Sequence, residues 1–238
     1  MKIAFVAALE REVKPLVRKW RVVERENEGH QYKFFENEGA VLVCAGIGAE
    51  PARRATAAVI SLYAPHTVWS VGFAGALDPA LKIGDSLQPQ RVIDAGDSSS
   101  TTISGGSGTL VSCAAIANPE QKSSLRRAYG AEALDMEAAA VARGALARNT
   151  DFAVYKVISD ESDFELPQLQ RFIRNGQFRE AAYVAYVAIR PWLWPRTLRL
   201  ARNTAKASKV LCRWLAEYIA PAESLENKPA EVHPRKRA

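Results

Sequence analysis

The sequence predicts an α/β protein in which strands and helices alternate in layers. Three observations carry this. Apolar runs of strand length at 3–9, 68–73 and 152–159 alternate with segments of helical spacing. Small-residue turns, Gly46-Ile47-Gly48 and Gly72-Phe73-Ala74-Gly75, fall where strands give way. Acids stand where apolar elements end, as in Ser159-Asp160-Glu161 and Asp135-Met136-Glu137.

Residues 3–9 make an apolar first strand. A signal peptide could begin this way, but Glu10, Arg11 and Glu12 follow at once and no small-residue cleavage pattern does. Val13, Leu16, Val17 and Trp20 give 10–19 a helical rhythm. Residues 31–36 and 40–45 read as strands joined by a turn at 37–39. Pro51 suits the first turn of a helix reaching about Tyr63. Residues 83–92 and 110–114 read as strands, and the Ser-, Thr- and Gly-dominated 96–108 as a mobile link. Helices are expected over 119–129, 137–147 and from 168 onward. One domain is thus expected over 1–220, with a basic amphipathic helical region at 190–219. The polar tail, 221–238, carries three Pro and reads as disordered.

Composition narrows the class. At 48% hydrophobic and 24% charged the chain can bury a full core. No apolar run is long enough to span a membrane. Cys44, Cys113 and Cys212 are far apart with no CxxC, and His30, His66 and His233 are scattered. Neither a disulfide framework nor a metal site is expected, and a reducing cytoplasm fits. The net charge of +6 is uneven. Residues 1–189 hold 21 Lys/Arg against 22 Asp/Glu, whereas 190–213 hold seven basic residues and no acid. The positive charge therefore belongs to one segment.

Taken singly, the motifs have ordinary structural accounts. Gly46-x-Gly48-x-x-Pro51 lacks the third Gly of a dinucleotide fingerprint, and no acid follows about 20 residues on at a strand end, so NAD or FAD is not expected. The turn still offers N–H groups, around Ile47, to a ligand hydroxyl or anion. Gly72-Phe73-Ala74-Gly75 could be a plain strand end or the bed of a flat ligand. Glu137 suits a helix N-terminus; Asp135 is either an N-cap or a surface acid; Ser159 and Asp160 could cap a loop entry; Glu161 and Asp163 read as solvated. With Glu12, however, Glu137 and Asp160 form a three-carboxylate constellation, and carboxylates placed so do chemistry or hold polar ligands.

The combination resembles a family. Ala8-Leu9-Glu10-Arg11-Glu12-Val13, the Gly46-Ile47-Gly48 turn, Val71-Gly72-Phe73-Ala74-Gly75-Ala76-Leu77, Lys82-Ile83-Gly84-Asp85, Asp135-Met136-Glu137-Ala138 and Val157-Ile158-Ser159-Asp160 are similar, in order, to the methylthioadenosine/adenosylhomocysteine nucleosidases of the purine nucleoside phosphorylase superfamily. The resemblance implies a three-layer fold with a central mixed β-sheet flanked by helices, and cleavage of the N-glycosidic bond of a purine nucleoside, adenine above all. It implies that Asp160 protonates the purine at N7 with Ser159 orienting it. Glu137 would bind ribose hydroxyls with Met136 against the sugar, and Glu12 would activate water. No cofactor is implied. Phosphate as co-substrate is the alternative to water. Small-molecule nucleoside is the expected partner, and relatives that form dimers or larger leave a homo-oligomer open.

The sequence departs from the family in three places. Val111-Ser112 is followed by Cys113-Ala114-Ala115-Ile116, so Ile116 stands for an aromatic base-stacking residue. Phe73 replaces a usual Ser or Thr. The stretch between Asp85 and Ser112 is short, which implies a more open pocket around the 5′ substituent. Arg190-Pro191-Trp192-Leu193-Trp194-Pro195 and the helix after it resemble a narrower branch, the hopanoid-associated phosphorylases. That implies adenosylhopane as substrate and a lipid-linked nucleoside.

Two alternatives come from other classes. A non-catalytic nucleoside binder would explain Ile116 and the shortened middle, but has no need of a water-directing acid. Nucleic-acid binding through the basic helix has no reader motif behind it. On that helix Leu198, Ala201, Ala205, Ser208, Cys212, Leu215 and Ile219 make an expected buried stripe, widened by Leu211, Trp214 and Tyr218. Arg199, Arg202, Lys206, Lys209 and Arg213 form a separate face. That face is either simply solvated or makes weak peripheral contact with anionic membrane, Trp192 and Trp194 lying near the headgroups.

Overall fold

A mixed sheet organises the chain, and a computed structural model describes residues 2–166 and 168–220 of it. The expected disorder of 221–238 lies outside the described residues. Ile3–Ala7 (β1) is almost wholly buried because it lies between two parallel neighbours, Ala40–Cys44 (β4) and Thr67–Ala76 (β5). Outside β4 run Arg21–Asn27 (β2) and His30–Glu36 (β3), a meander of antiparallel strands. On the other side the ten-residue β5 is shared. Asp151–Asp160 (β11) pairs along it in parallel, and Ala133–Asp135 (β10) pairs antiparallel with its last residues. Beyond β10 come Thr109–Ser112 (β9), Arg91–Asp94 (β7) and Ser100–Thr102 (β8), while Ser86–Leu87 (β6) pairs with β11.

Helices cover both faces. Ala49–Tyr63 (α2) and Ala138–Leu146 (α4) pack Ala52, Ala55, Val59, Ala140 and Val141 against Val6, Val43 and Val68. Glu10–Val17 (α1) and Trp194–Ile219 (α6) pack Val13, Val17, Leu211 and Leu215 against Phe5, Leu42 and Trp69 on the opposite face. Pro119–Tyr129 (α3) starts at a full capping box between Asn118 and Gln121. The expected mixed sheet between helical layers is therefore the observed one.

Several elements differ from expectation. The expected strand over 83–92 is two strands, β6 and β7, because Pro89 between them has no N–H for the ladder. The expected mobile link at 96–108 carries β8, which pairs with β7, and buries Ile103. β2 was missed since most of its residues face water and show no apolar alternation. The helical reading from 168 onward holds for Glu180–Ala188 (α5) and α6 only. Ahead of them lie a short 3-10 turn, Leu169–Phe172, and a hairpin of Ile173–Arg174 (β12) and Gln177–Phe178 (β13).

The stripe expected on α6 is half correct. Of its members Ser208, Leu211, Cys212 and Leu215 are buried, joined by Ala207, but Leu198, Ala201, Ala205 and Tyr218 are exposed. The first turns of α6 lie over a pocket, not over the sheet, so they turn Leu200 and Thr204 inward instead. The cationic face is as expected: Arg199, Arg202, Lys206, Lys209 and Arg213 are all exposed.

Candidate active site

All nine candidate residues from the sequence, Glu12, Ile47, Phe73, Gly75, Ile116, Met136, Glu137, Ser159 and Asp160, line one pocket of about 880 Å³ counting its open mouth. The ends of β1, β5, β10 and β11 converge there. Apolar walls come from Leu9, Ile116, Leu166, Leu169, Ile173, Phe178 and Leu200. The 173–178 hairpin is fastened to the Gly46–Gly48 turn by the Ile47 N–H, which donates to the Gly176 carbonyl at 2.7 Å.

Asp160 owes its aim to a bulge. Along β11 the register with β5 shifts, Ile158 facing Ala74 and Asp160 facing Gly75, so Ser159 is the extra residue. Bulges re-aim side chains in this way beside functional sites. The carboxylate lies so close to Gly75 that a Cβ there would stand 2.8 Å from Oδ2; only glycine fits. Ser159 Oγ donates to Oδ1 at 2.8 Å. On the other side Lys122 Nζ donates to Oδ2 at 2.5 Å and to the Glu161 carbonyl at 2.7 Å.

Glu137 sits at the N-terminus of α4 and accepts the Gly48 N–H at 2.8 Å and the Met136 N–H at 3.3 Å. Burial, and then the neighbouring Asp135 carboxylate, push its pKa up to about 7 against the pull of Lys156. Glu12 is in the first turn of α1 and only 5% exposed. Its Oε2 is buried without a hydrogen-bond partner. Burial, reinforced by Glu137, raises its pKa to about 8. Gly72, at φ +142°, makes room for it: a Cβ there would meet Oε2 at 2.7 Å.

Asp135 is not a surface acid. It is buried, accepts from Ser112 Oγ at 2.5 Å and from the Ala138 N–H at 2.9 Å, and pairs with Lys156 at 2.9 Å. It thus holds the first N–H of α4, with Glu137 itself at the N-cap position, and fixes the turn that presents Met136 and Glu137. Glu161 is not freely solvated either; Arg199 donates to it at 3.0 Å.

Two buried lysines escaped the sequence reading. Lys156 interrupts an otherwise apolar strand, and Lys122 places a cation early in a helix, where the dipole disfavours it. Each anomaly was visible as a signal that the lysine has a carboxylate partner. Among the described residues no group of His, Cys, Asp and Glu is arranged to hold a metal ion.

The sheet thus gathers four buried carboxylates, Glu12, Asp135, Glu137 and Asp160, at one pocket by its strand ends, and the comparisons with known proteins give the family. Residues 2–120 match the phosphorylase superfamily, and the chain belongs to it. A 5′-methylthioadenosine/S-adenosylhomocysteine nucleosidase of Staphylococcus carnosus is 35% identical over 88 residues, 36% of this chain and 39% of that one. An aminodeoxyfutalosine nucleosidase of Campylobacter jejuni is 29% identical over 95 residues, 39% of this chain and 42% of that one. The chain thus spans about two fifths of the length of the curated relatives it matches. In fold it is similar to the 5′-methylthioadenosine/S-adenosylhomocysteine nucleosidase of Neisseria meningitidis in complex with methylthio-immucillin-A, with a TM-score of 0.67 at 19% identity over 92% of this chain and 98% of that one.

Proposed function

We propose that the chain releases adenine from a nucleoside by breaking its C1′–N9 bond. The observation that carries this is the convergence on one pocket of two unlike acids: Asp160, held on both oxygens by Ser159 and Lys122, and Glu12, buried with Oε2 unpartnered. Glycosidic cleavage passes through an oxocarbenium-like sugar and needs that division of labour. Asp160 delivers a proton to N7 so that the base leaves neutral. Glu137 accepts hydrogen bonds from the ribose hydroxyls with Met136 against the ring. Glu12 takes a proton from the attacking water. That the relatives are nucleosidases, among them one for 5′-methylthioadenosine and S-adenosylhomocysteine, supports the same reading.

Water is the nucleophile this site suits, because Glu12 presents a buried carboxylate oxygen without a hydrogen-bond partner that can take a proton from water, whereas a phosphate dianion has no such proton to give up. The test is adenine release from adenosine and 5′-methylthioadenosine with and without phosphate. Equal rates are expected; a requirement for phosphate would make the chain a phosphorylase, and adenine binding without release would make it a binder only.

The finer substrate reading is a nucleoside with a long apolar 5′ substituent, adenosylhopane being the one the branch resemblance implies. Apolar pocket walls at Leu166, Leu169, Ile173, Phe178 and Leu200 support it. So do exposed apolar residues close in sequence to Leu200, namely Ile189, Trp192, Trp194 and Leu198, with Trp192 71% exposed. Together with the cationic face of α6 this supports weak attachment to anionic membrane, each basic residue contributing about 1 kcal/mol or less. Cosedimentation with phosphatidylserine-containing vesicles should be visible at low salt, fade at high salt, and drop in an R202E/K206E/K209E variant. Absence of low-salt binding leaves the cationic face merely solvated.

A further inference from the structure

We propose that Lys122 is the positioning residue for the leaving base: it fixes Asp160 and supplies the proton that Asp160 passes on. The proposal rests on the reading of Asp160 as the acid that protonates the base.

Lys122 is 1% exposed, a lysine taken out of water almost completely. Such a group is tolerated only when its donors are used. Two are, on Asp160 Oδ2 at 2.5 Å and on the Glu161 carbonyl at 2.7 Å, and the side chain still contributes to the pocket wall. Its backbone is equally fixed. The Asn118–Gln121 capping box closes the first turn of α3, and the Lys122 N–H donates to the Asn118 carbonyl at 2.9 Å. With Ser159 on Oδ1, the carboxylate has one donor on each oxygen and no rotational freedom left. A stability role alone is a poor account of the pair, because buried ion pairs are no more stabilising than an apolar pair of the same size.

The proton balance follows. As C1′–N9 breaks, its electron pair passes to the purine. N7 takes a proton that passes from the Lys122 ammonium through Asp160 Oδ2, which leaves Lys122 a neutral amine and Asp160 a carboxylate as before. Water loses a proton to Glu12 as its oxygen bonds to C1′. Solvent then exchanges protons with both groups, and the net reaction consumes one water and leaves adenine and the free sugar.

A double-mutant cycle tests this. Lys122→Met should lower kcat on adenosine on the order of 10²-fold while KM changes less than about threefold. In the Asp160→Asn background the same change should cost nothing further, since it acts only through Asp160. The double variant buries no unpaired charge, so it also guards against misfolding of the single one. A Lys122→Met enzyme with wild-type kcat, or a second full loss of kcat in the double variant, would overturn the proposal. Failure of the underlying reading looks different: the wild-type protein releases no adenine, or Asp160→Asn alone is fully active.

Discussion

Asp160→Asn is expected to cut adenine release by about 10²–10⁴-fold, the usual cost of losing a general acid. The amide keeps the shape and can still take the Ser159 hydrogen bond, but it cannot pass a proton to N7. Because binding contacts from Glu137 and the apolar walls remain, the loss should fall on kcat and leave KM nearly unchanged. The variant strands Lys122 beside a neutral group, so part of the protein's stability goes as well. Steady-state kinetics on protein shown to be folded by circular dichroism separates the two effects. Turnover near that of the wild type would end the assignment of Asp160 as the acid.

What could be read from the sequence was what each residue shows to its neighbours in the chain. The runs that became β1, β5 and β11 are buried on both faces, so their apolar character is continuous and unmistakable. The acids at their ends stood out for the same reason, and all nine candidate residues meet at one pocket. What stayed hidden depends on partners far off in sequence. Lys122 lies 38 residues from Asp160, and nothing local says they touch. Lys156 lies 21 residues from Asp135, and only the fold sets the two side by side. The bulge at Ser159 leaves no mark in composition, since it is a matter of register against β5. On α6 the period was right but the buried face was misjudged for the first turns. Spacing shows that a face exists, whereas which residues it buries depends on what lies beneath, here a pocket instead of the sheet.

Glu12→Gln should abolish hydrolysis and make the protein more stable. Burial holds the Glu12 pKa at about 8, far above its ordinary 4.5. At pH 7 only roughly a tenth of the molecules therefore carry the ionised base. If Glu12 takes the proton from water, kcat should climb with pH and level off above about 8. Stability should move the other way. A carboxyl whose folded pKa lies above its unfolded one binds an extra proton when folded, so its contribution is full below pH 4.5 and is lost as pH rises through about 8. Glu137, raised to about 7, slopes in the same direction. Gln at position 12 cannot ionise, so this part of the decline disappears, and the melting temperature at pH 8 should rise by a few degrees as a burial cost is removed. Thermal melts from pH 5 to 9, run beside rate measurements, compare the two proteins. A variant that keeps wild-type hydrolysis rules Glu12 out as the base. Melting curves with the same pH slope in both proteins would mean that the charge on Glu12 is already solvated in the folded state, and burial would be lost as the explanation of its reactivity.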